Sequence, residues 1–197
     1  GIQTHKKKSD AATPGSRVAV NLSGLATTQM ERGDVLTNPD WLKPTTAVDV
    51  KIRLLEEVTY PLRHNTEITF HSAAFEGTGR ARLLEKEKLE PGEESWAQIA
   101  LSQPAAVVKG DLFIIRSPNH TLGGGEIVDA YPRRHRRYQA TIIKGLAARE
   151  KGSTEDMLLA TLEAREPLEM EDLAKRCGMS LEKAEQTVKS LATNSKA

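Results

Sequence analysis

The sequence is sparing with several residue types, and each shortage narrows what it can be. It has a single cysteine, Cys177, so no disulfide can form within the chain, an arrangement suited to a reducing, cytoplasmic setting. Aromatics make up only 4% of the residues, which argues against an extended stacking platform for single strands. No apolar run approaches the roughly 18 residues that a membrane span needs. The start of the chain is polar and basic with no apolar core behind it, unlike a signal peptide. No G-x-x-x-x-G-K-[S/T] occurs, so the chain has no visible means of binding or hydrolysing a nucleoside triphosphate by itself and reads as a non-enzyme. The net charge of +1 gives no global cationic field, so nucleic-acid binding would have to come from local clusters. The first residue is Gly rather than Met, within what reads as mid-element, and the expectation is a piece of a longer protein.

What is present is the composition of a globular protein, 38% hydrophobic and 28% charged over 197 residues. The first half reads as strands. Gly1–His5 is strand-like, and Arg17–Leu22 alternates, with Val18, Val20 and Leu22 on one face of a half-buried strand. Asp34–Thr37 is read as a short strand and Asn38-Pro39-Asp40 as a turn. After Pro44 the alternation becomes clear, with Val48, Val50, Ile52 and Leu54 set against Asp49, Lys51 and Arg53. Further strands are predicted at Glu67–His71, Gly79–Glu85, Ser95–Ser102, Asp111–Arg116 and Gly124–Ala130. Short strands separated by turn signals, with no helical period between them, point to a closed antiparallel barrel, which removes exposed edges.

Pro132 ends that pattern and the basic run Arg133, Arg134, His135, Arg136, Arg137 follows. The period then becomes helical. Tyr138–Lys151 places Ile142, Ile143, Leu146 and Ala147 on one side, with Gly152 as its stop. A second helix opens at Thr154 with Met157, Leu158, Leu159 and Leu162 as its apolar face, and Pro167 starts a short segment. Glu169–Cys177, a turn at Gly178, and a helix capped by Ser180 complete a helix-turn-helix plan. In that last helix Leu181, Ala184, Val188 and Leu191 share one face.

The candidate chemistry is thin. Cys177 lies on an apolar helical position with no histidine near it in sequence and reads as core. The histidines at 5, 64, 71, 120 and 135 lack metal-type spacing, so no metal site is expected. Gly123-Gly124-Gly125 sits between two strands rather than between a strand and a helix, so it reads as a tight turn or bulge needing positive φ rather than a phosphate loop. The Arg133–Arg137 run is the most pointed feature, read either as a solvated charge run or as a phosphate contact. Lys6-Lys7-Lys8 reads as a solvated loop. Lys183, Gln186 and Lys189 face outward if Leu181, Ala184 and Val188 face in, and they either read nucleic acid or sit on a packing module.

Set out in this way, the chain resembles a known family. G-I-Q-T-H-K-K-K, P-G-S-R-V-A-V-N-L-S-G and E-R-G-D-V-L resemble the last strands of the second domain of translation GTPases of the elongation factor Tu type. F-H-S-A-A-F-E-G-T-G-R-A-R-L-L-E, G-D-L-F-I-I-R and T-L-G-G-G-E-I-V resemble their third domain. The His-x-Ala-Ala…Gly-Arg-x-Arg-Leu-Leu-Glu version of this pattern, followed by Pro-Arg-Arg and then helices, is similar to one branch, the selenocysteine-specific elongation factors, SelB. The resemblance implies a mostly β fold with a helical C-terminal part. The end of a second-domain barrel would occupy 1–43, a third-domain barrel 44–131, a basic linker 132–139 and the start of a winged-helix domain 140–197. It implies binding of selenocysteyl-tRNA and its delivery to the ribosome at UGA codons, with GTP and Mg bound in a domain upstream of this chain. An mRNA hairpin would be gripped by further domains downstream. Arg17 matches a position that lines the aminoacyl pocket, where a guanidinium suits an ionised selenol. His71, Arg80, Arg82 and Arg116, with Arg133, Arg134, Arg136 and Arg137, are the candidates for the tRNA surface.

Two other readings compete. One is a DNA-binding winged-helix regulator whose barrel senses or oligomerises. The other is an enzyme using the glycine-rich turn, for which no residue in the sequence supplies a motive.

Overall fold

Alternation fixes the barrel. In β4 (Thr45–Leu54) the side chains of Val48, Val50, Ile52 and Leu54 are all fully buried, while Lys51 and Arg53 between them face out. The computed structural model describes residues 1–4, 7–39, 41–152, 158, 162, 169–177 and 179–194. Its chain divides into two units, Gly1–Arg32 and Gly33–Ala197.

The first unit holds a small antiparallel sheet. β1 (Ile2–Thr4) lies between β2 (Lys7–Ser9) and β3 (Ala19–Val20). The strand expected over Arg17–Leu22 shrinks to two exposed residues, because only Ala19 and Val20 find partners on β1. Lys6 lies outside the described residues, as does Asp40 of the expected turn.

The second unit is built on a closed barrel in the order β10-β11-β4-β9-β7-β6, all neighbours antiparallel. Its strands are β4, β6 (Thr66–Ser72), β7 (Phe75–Leu83), β9 (Glu94–Ala105), β10 (Leu112–Arg116) and β11 (Thr121–Asp129). These are the six that alternation predicts. A short ribbon of β5 (Leu62–Arg63) and β8 (Lys88–Leu89) was not legible, since two-residue strands carry no period. Asp34–Thr37 forms no strand: Val35 and Leu36 are both exposed and no strand pairs with them among the described residues. Inside, Phe70 stacks on Phe113 with ring centroids 5.3 Å apart, among Ile68, Leu83, Ile99, Ile115 and Ile127.

The three glycines correct the sequence reading. They form no turn: β11 runs straight through them, and none has φ in the left-handed region. Their role is close approach. A Cβ on Gly123, Gly124 or Gly125 would run into the carbonyl oxygen of Arg53, Phe113 or Lys51 respectively, all backbone atoms of the flanking strands. The irregularity the sequence hinted at lies next door, where the β10–β11 pairing skips Leu122.

α1 (Ala140–Lys151) ends at Gly152, whose φ of 72° closes it in the left-handed conformation. It starts later than the period implied because Tyr138 has φ 60°. Its face of Ile142, Ile143, Leu146 and Ala147 packs on Leu84, Trp96 and Val128, so this helix covers the outside of the barrel. α2 (Met170–Cys177) and α3 (Leu181–Asn194) share a separate core with Leu158, Leu162, Leu173, Val188 and Leu191, and Cys177 is buried in it. The Ser180 hydroxyl accepts from the Lys183 amide at 3.4 Å, capping α3. Ala184 is buried as expected, but Leu181 is exposed. Most of the helix expected from Thr154, the Pro167 segment and Gly178 lie outside the described residues.

Replacing Gly125 with alanine forces its methyl group against the Lys51 carbonyl, and the expected cost is about 2 kcal/mol of stability. Urea unfolding of the variant reads this directly. An unchanged midpoint contradicts the close-approach role.

Candidate nucleic-acid interface

The outer face of the barrel carries the cations. Arg80 and Arg82 both point outward from β7, since Gly79, Ala81 and Leu83 between and beside them are buried. Arg80 is engaged by Glu67 across the strand pair at 3.2 Å and by the Asn65 carbonyl at 3.4 Å. Arg116 is exposed on β10, with β6 between it and β7. His71 faces the same side of β6. Its Nδ1 lies 3.8 Å from Glu76, and its Nε2 is buried without a hydrogen-bond partner among the described residues.

The basic run after Pro132 is a strap whose side chains divide between solvent and barrel. Arg133, Arg134 and Arg136 are exposed, whereas His135 and Arg137 turn toward the barrel. Arg137 donates to the carbonyls of Leu83 at 3.0 Å and Lys86 at 2.8 Å, pairs with Glu87 at 2.9 Å and lies over the Tyr138 ring. The Tyr138 hydroxyl donates to Glu87 at 2.6 Å, and these two partners hold the Glu87 carboxyl below its ordinary range. The backbone N–H of Tyr138 donates to the Leu84 carbonyl at 2.7 Å.

His135 meets a group that sequence reasoning passed over. Its Nε2 lies 2.6 Å from Oδ2 of Asp49, a fully buried carboxylate on the outward side of β4. Gln98 of β9, also buried, donates to Asp49 Oδ1 at 2.9 Å and to the Arg133 carbonyl at 2.8 Å. Arg82 donates to Gln98 Oε1 at 3.1 Å. Burial pushes the Asp49 carboxyl up from its usual value, and His135 and Gln98 pull it back. Burial, then the neighbouring Arg134 and Arg137, make Arg82 harder to protonate. Burial and Arg137 likewise lower His64, whose Nδ1 sits 3.1 Å from the Leu83 carbonyl. His64 and Arg137 thus meet at the Leu83 carbonyl, within reach of the Arg82 charge. An outward Asp in an alternating strand reads as solvated, and the one clue was a histidine standing among four arginines.

Lys183, Gln186 and Lys189 are exposed on α3. Arg17, in the first unit, is exposed, and its carbonyl accepts from the Thr4 hydroxyl at 3.5 Å. No helix among the described residues is long and apolar enough to cross a membrane.

The site is thus a closed six-stranded antiparallel barrel with a helical C-terminal part and an arginine-bearing outer wall. Residues 47–134 match the family described as the beta-barrel domain of the selenocysteine-specific elongation factor, SelB. Over 164 residues, 82% of this chain and 26% of the relative, the sequence is 37% identical to a selenocysteine-specific elongation factor of Desulfomicrobium baculatum. It is 30% identical to the one of Haemophilus influenzae over 158 residues, 77% of this chain and 25% of that protein. The chain belongs to the selenocysteine-specific elongation factor family. It spans about a quarter of the length of these curated relatives.

Removing the His135 side chain leaves the Asp49 charge buried with one partner fewer, and the expected cost near neutral pH is about 3 kcal/mol. The sign with pH follows from the raised Asp49 value. A protonated Asp49 carries no charge to be compensated, so the deficit is smallest below the unfolded carboxyl range near pH ~4 and grows as pH rises through the folded-state value. Unfolding midpoints of His135→Ala and the native protein across a pH series check this. A deficit independent of pH means that Asp49 is not the charged partner.

Proposed function

We propose that this chain is the part of a selenocysteine-specific translation elongation factor that holds selenocysteyl-tRNA for delivery to the ribosome at UGA codons. The observation that carries the reading is the set of exposed arginines on one family-matched barrel and its strap. Among the described residues, Arg116, Arg133, Arg134 and Arg136 have no carboxylate partner and Arg82 bonds only to a neutral amide. Uncompensated guanidiniums on a rigid wall suit the phosphates of an RNA backbone, whose contacts position the nucleic acid without reading its bases.

In this reading the chain itself catalyses nothing. GTP and its Mg belong to a domain outside it, and the protein works in the cytoplasm. Arg17 lines the aminoacyl pocket, where its fixed positive charge favours an ionised selenol over neutral serine. The α2–α3 pair begins a winged-helix module, with Lys183, Gln186 and Lys189 as its outward face, and recognition of the mRNA hairpin falls to domains beyond.

The test is competition at moderate salt. The chain is expected to retain a selenocysteine tRNA against excess duplex DNA, with affinity falling steeply as salt rises. Preference for the duplex favours the DNA-binding regulator and overturns this reading. In the full-length factor, Arg17→Ala is expected to lower the preference for selenocysteyl- over seryl-tRNA. An unchanged ratio of the two affinities removes Arg17 from the pocket.

A further inference from the structure

Asp49 occupies an outward position of β4, flanked by the core residues Val48 and Val50, yet its exposure is zero. Such a carboxylate on a barrel wall would ordinarily be solvated, and burying it is costly without partners. Here its partners also fasten the strap. His135 supplies one from the strap itself, and Gln98 supplies the other from β9.

Gln98 is fully committed. Both protons of its Nε2 are used, one on Asp49 and one on the Arg133 carbonyl, so Oε1 is left to accept from Arg82. Flipping the amide would set oxygen against oxygen at Asp49 and donor against donor at Arg82. The orientation of Gln98 therefore ties the seat of the strap to the position of the Arg82 guanidinium. The strap is pinned on both sides of Arg134, at the Arg133 carbonyl and at the His135 ring, and Arg134 itself stays exposed. One side chain joins the two arginines: Gln98 accepts from the Arg82 guanidinium and donates to the carbonyl of Arg133, the residue directly before Arg134, and the Arg134 charge in turn disfavours that of Arg82. Arg137, the third guanidinium, is neutralised by Glu87, whereas Arg82 and Arg134 have no carboxylate partner among the described residues. Two like charges held together on a fixed frame gain from an anion between them.

We propose that Asp49, Gln98 and His135 are positioning residues that hold Arg134 beside Arg82, so that the two guanidiniums grip one phosphodiester group of an RNA backbone. This rests on the RNA-binding reading above and deepens it. It assigns a function to three residues that themselves touch no RNA.

The experiment uses the whole chain and a selenocysteine tRNA transcript. Arg82→Ala and Arg134→Ala are each expected to weaken binding about tenfold. The double variant is expected to be no weaker than either single one, with the salt slope reduced by about one phosphate. His135→Ala, checked by thermal unfolding to be folded, is expected to reproduce the loss, and adding Arg134→Ala to it costs nothing more. Adding Arg116→Ala instead still weakens binding further, because that arginine lies elsewhere on the wall. The proposal is overturned when His135→Ala keeps native affinity and slope, or when its loss is multiplied by Arg134→Ala. A measurement without destabilising variants stands beside this one, the arginine side-chain nitrogen spectrum of the native chain titrated with the same tRNA. Arg82 and Arg134 are expected to shift with a single midpoint, and separate midpoints or silence at either overturn the shared grip. Native chain that binds no RNA brings down both the function and this assignment. Binding that depends on Arg116 but ignores His135 brings down the assignment alone.

Discussion

The outside of this barrel depends on how closely β11 lies between β4 and β10. Three successive glycines let the backbone carbonyls of Arg53, Phe113 and Lys51 approach where side chains would hold them off. That contact closes the sheet. With the sheet closed, alternation has one meaning all the way round: Val, Ile, Leu and Phe fill the inside, and the intervening positions form a continuous outer wall. A one-residue slip in β4 would exchange Asp49, Lys51 and Arg53 for the core residues beside them. The polar groups of the wall are therefore placed by the same register that places the core.

The wall is then covered in two ways. α1 lays an apolar face over Leu84, Trp96 and Val128. Its last turn is held by charge, with Arg149 on Asp129 of β11, Glu150 on Lys51 of β4 at 2.7 Å, and Lys109 donating to the Arg149 carbonyl at 2.6 Å. The last of these places a cation at the helix C-terminus, where the backbone dipole favours it. The strap covers the wall by polar contacts instead, through Asp49 and Gln98. Hydrophobic burial needs area, which a helix face has. An extended segment of five residues has little, so its seat is built from hydrogen bonds and charge.

The barrel was legible because its signal is periodic and repeated. The strand from 48 to 54 alternates without a break, and the other five wall strands carry enough of the same pattern, with turns between them, to imply closure. Asp34–Thr37 misled because a short apolar run says nothing about whether a partner strand exists. The glycines misled in a different way. Sequence suggests left-handed backbone as the reason for a glycine, whereas here the reason is the distance to two neighbouring strands, which only the pairing reveals. The arginines of the strap were visible as charge. That His135 and Arg137 turn inward while Arg133, Arg134 and Arg136 stay out was not, because the groups that sort them, Asp49, Gln98 and Leu83, lie 86, 35 and 54 positions away in the chain from the strap residues they bond.

The docking of α1 also has a mechanical meaning. A pull on the chain beyond Gly152 meets Arg149 and Glu150 first, and these hand the load to β11 and β4 in the barrel wall. Only after that last turn lifts does force travel back along the helix past Leu146 to Tyr138 and Arg137, and from there to His135. The attachment yields from its C-terminal end in stages, so a modest tug on the helical part is absorbed at the ion pairs while the strap keeps its seat.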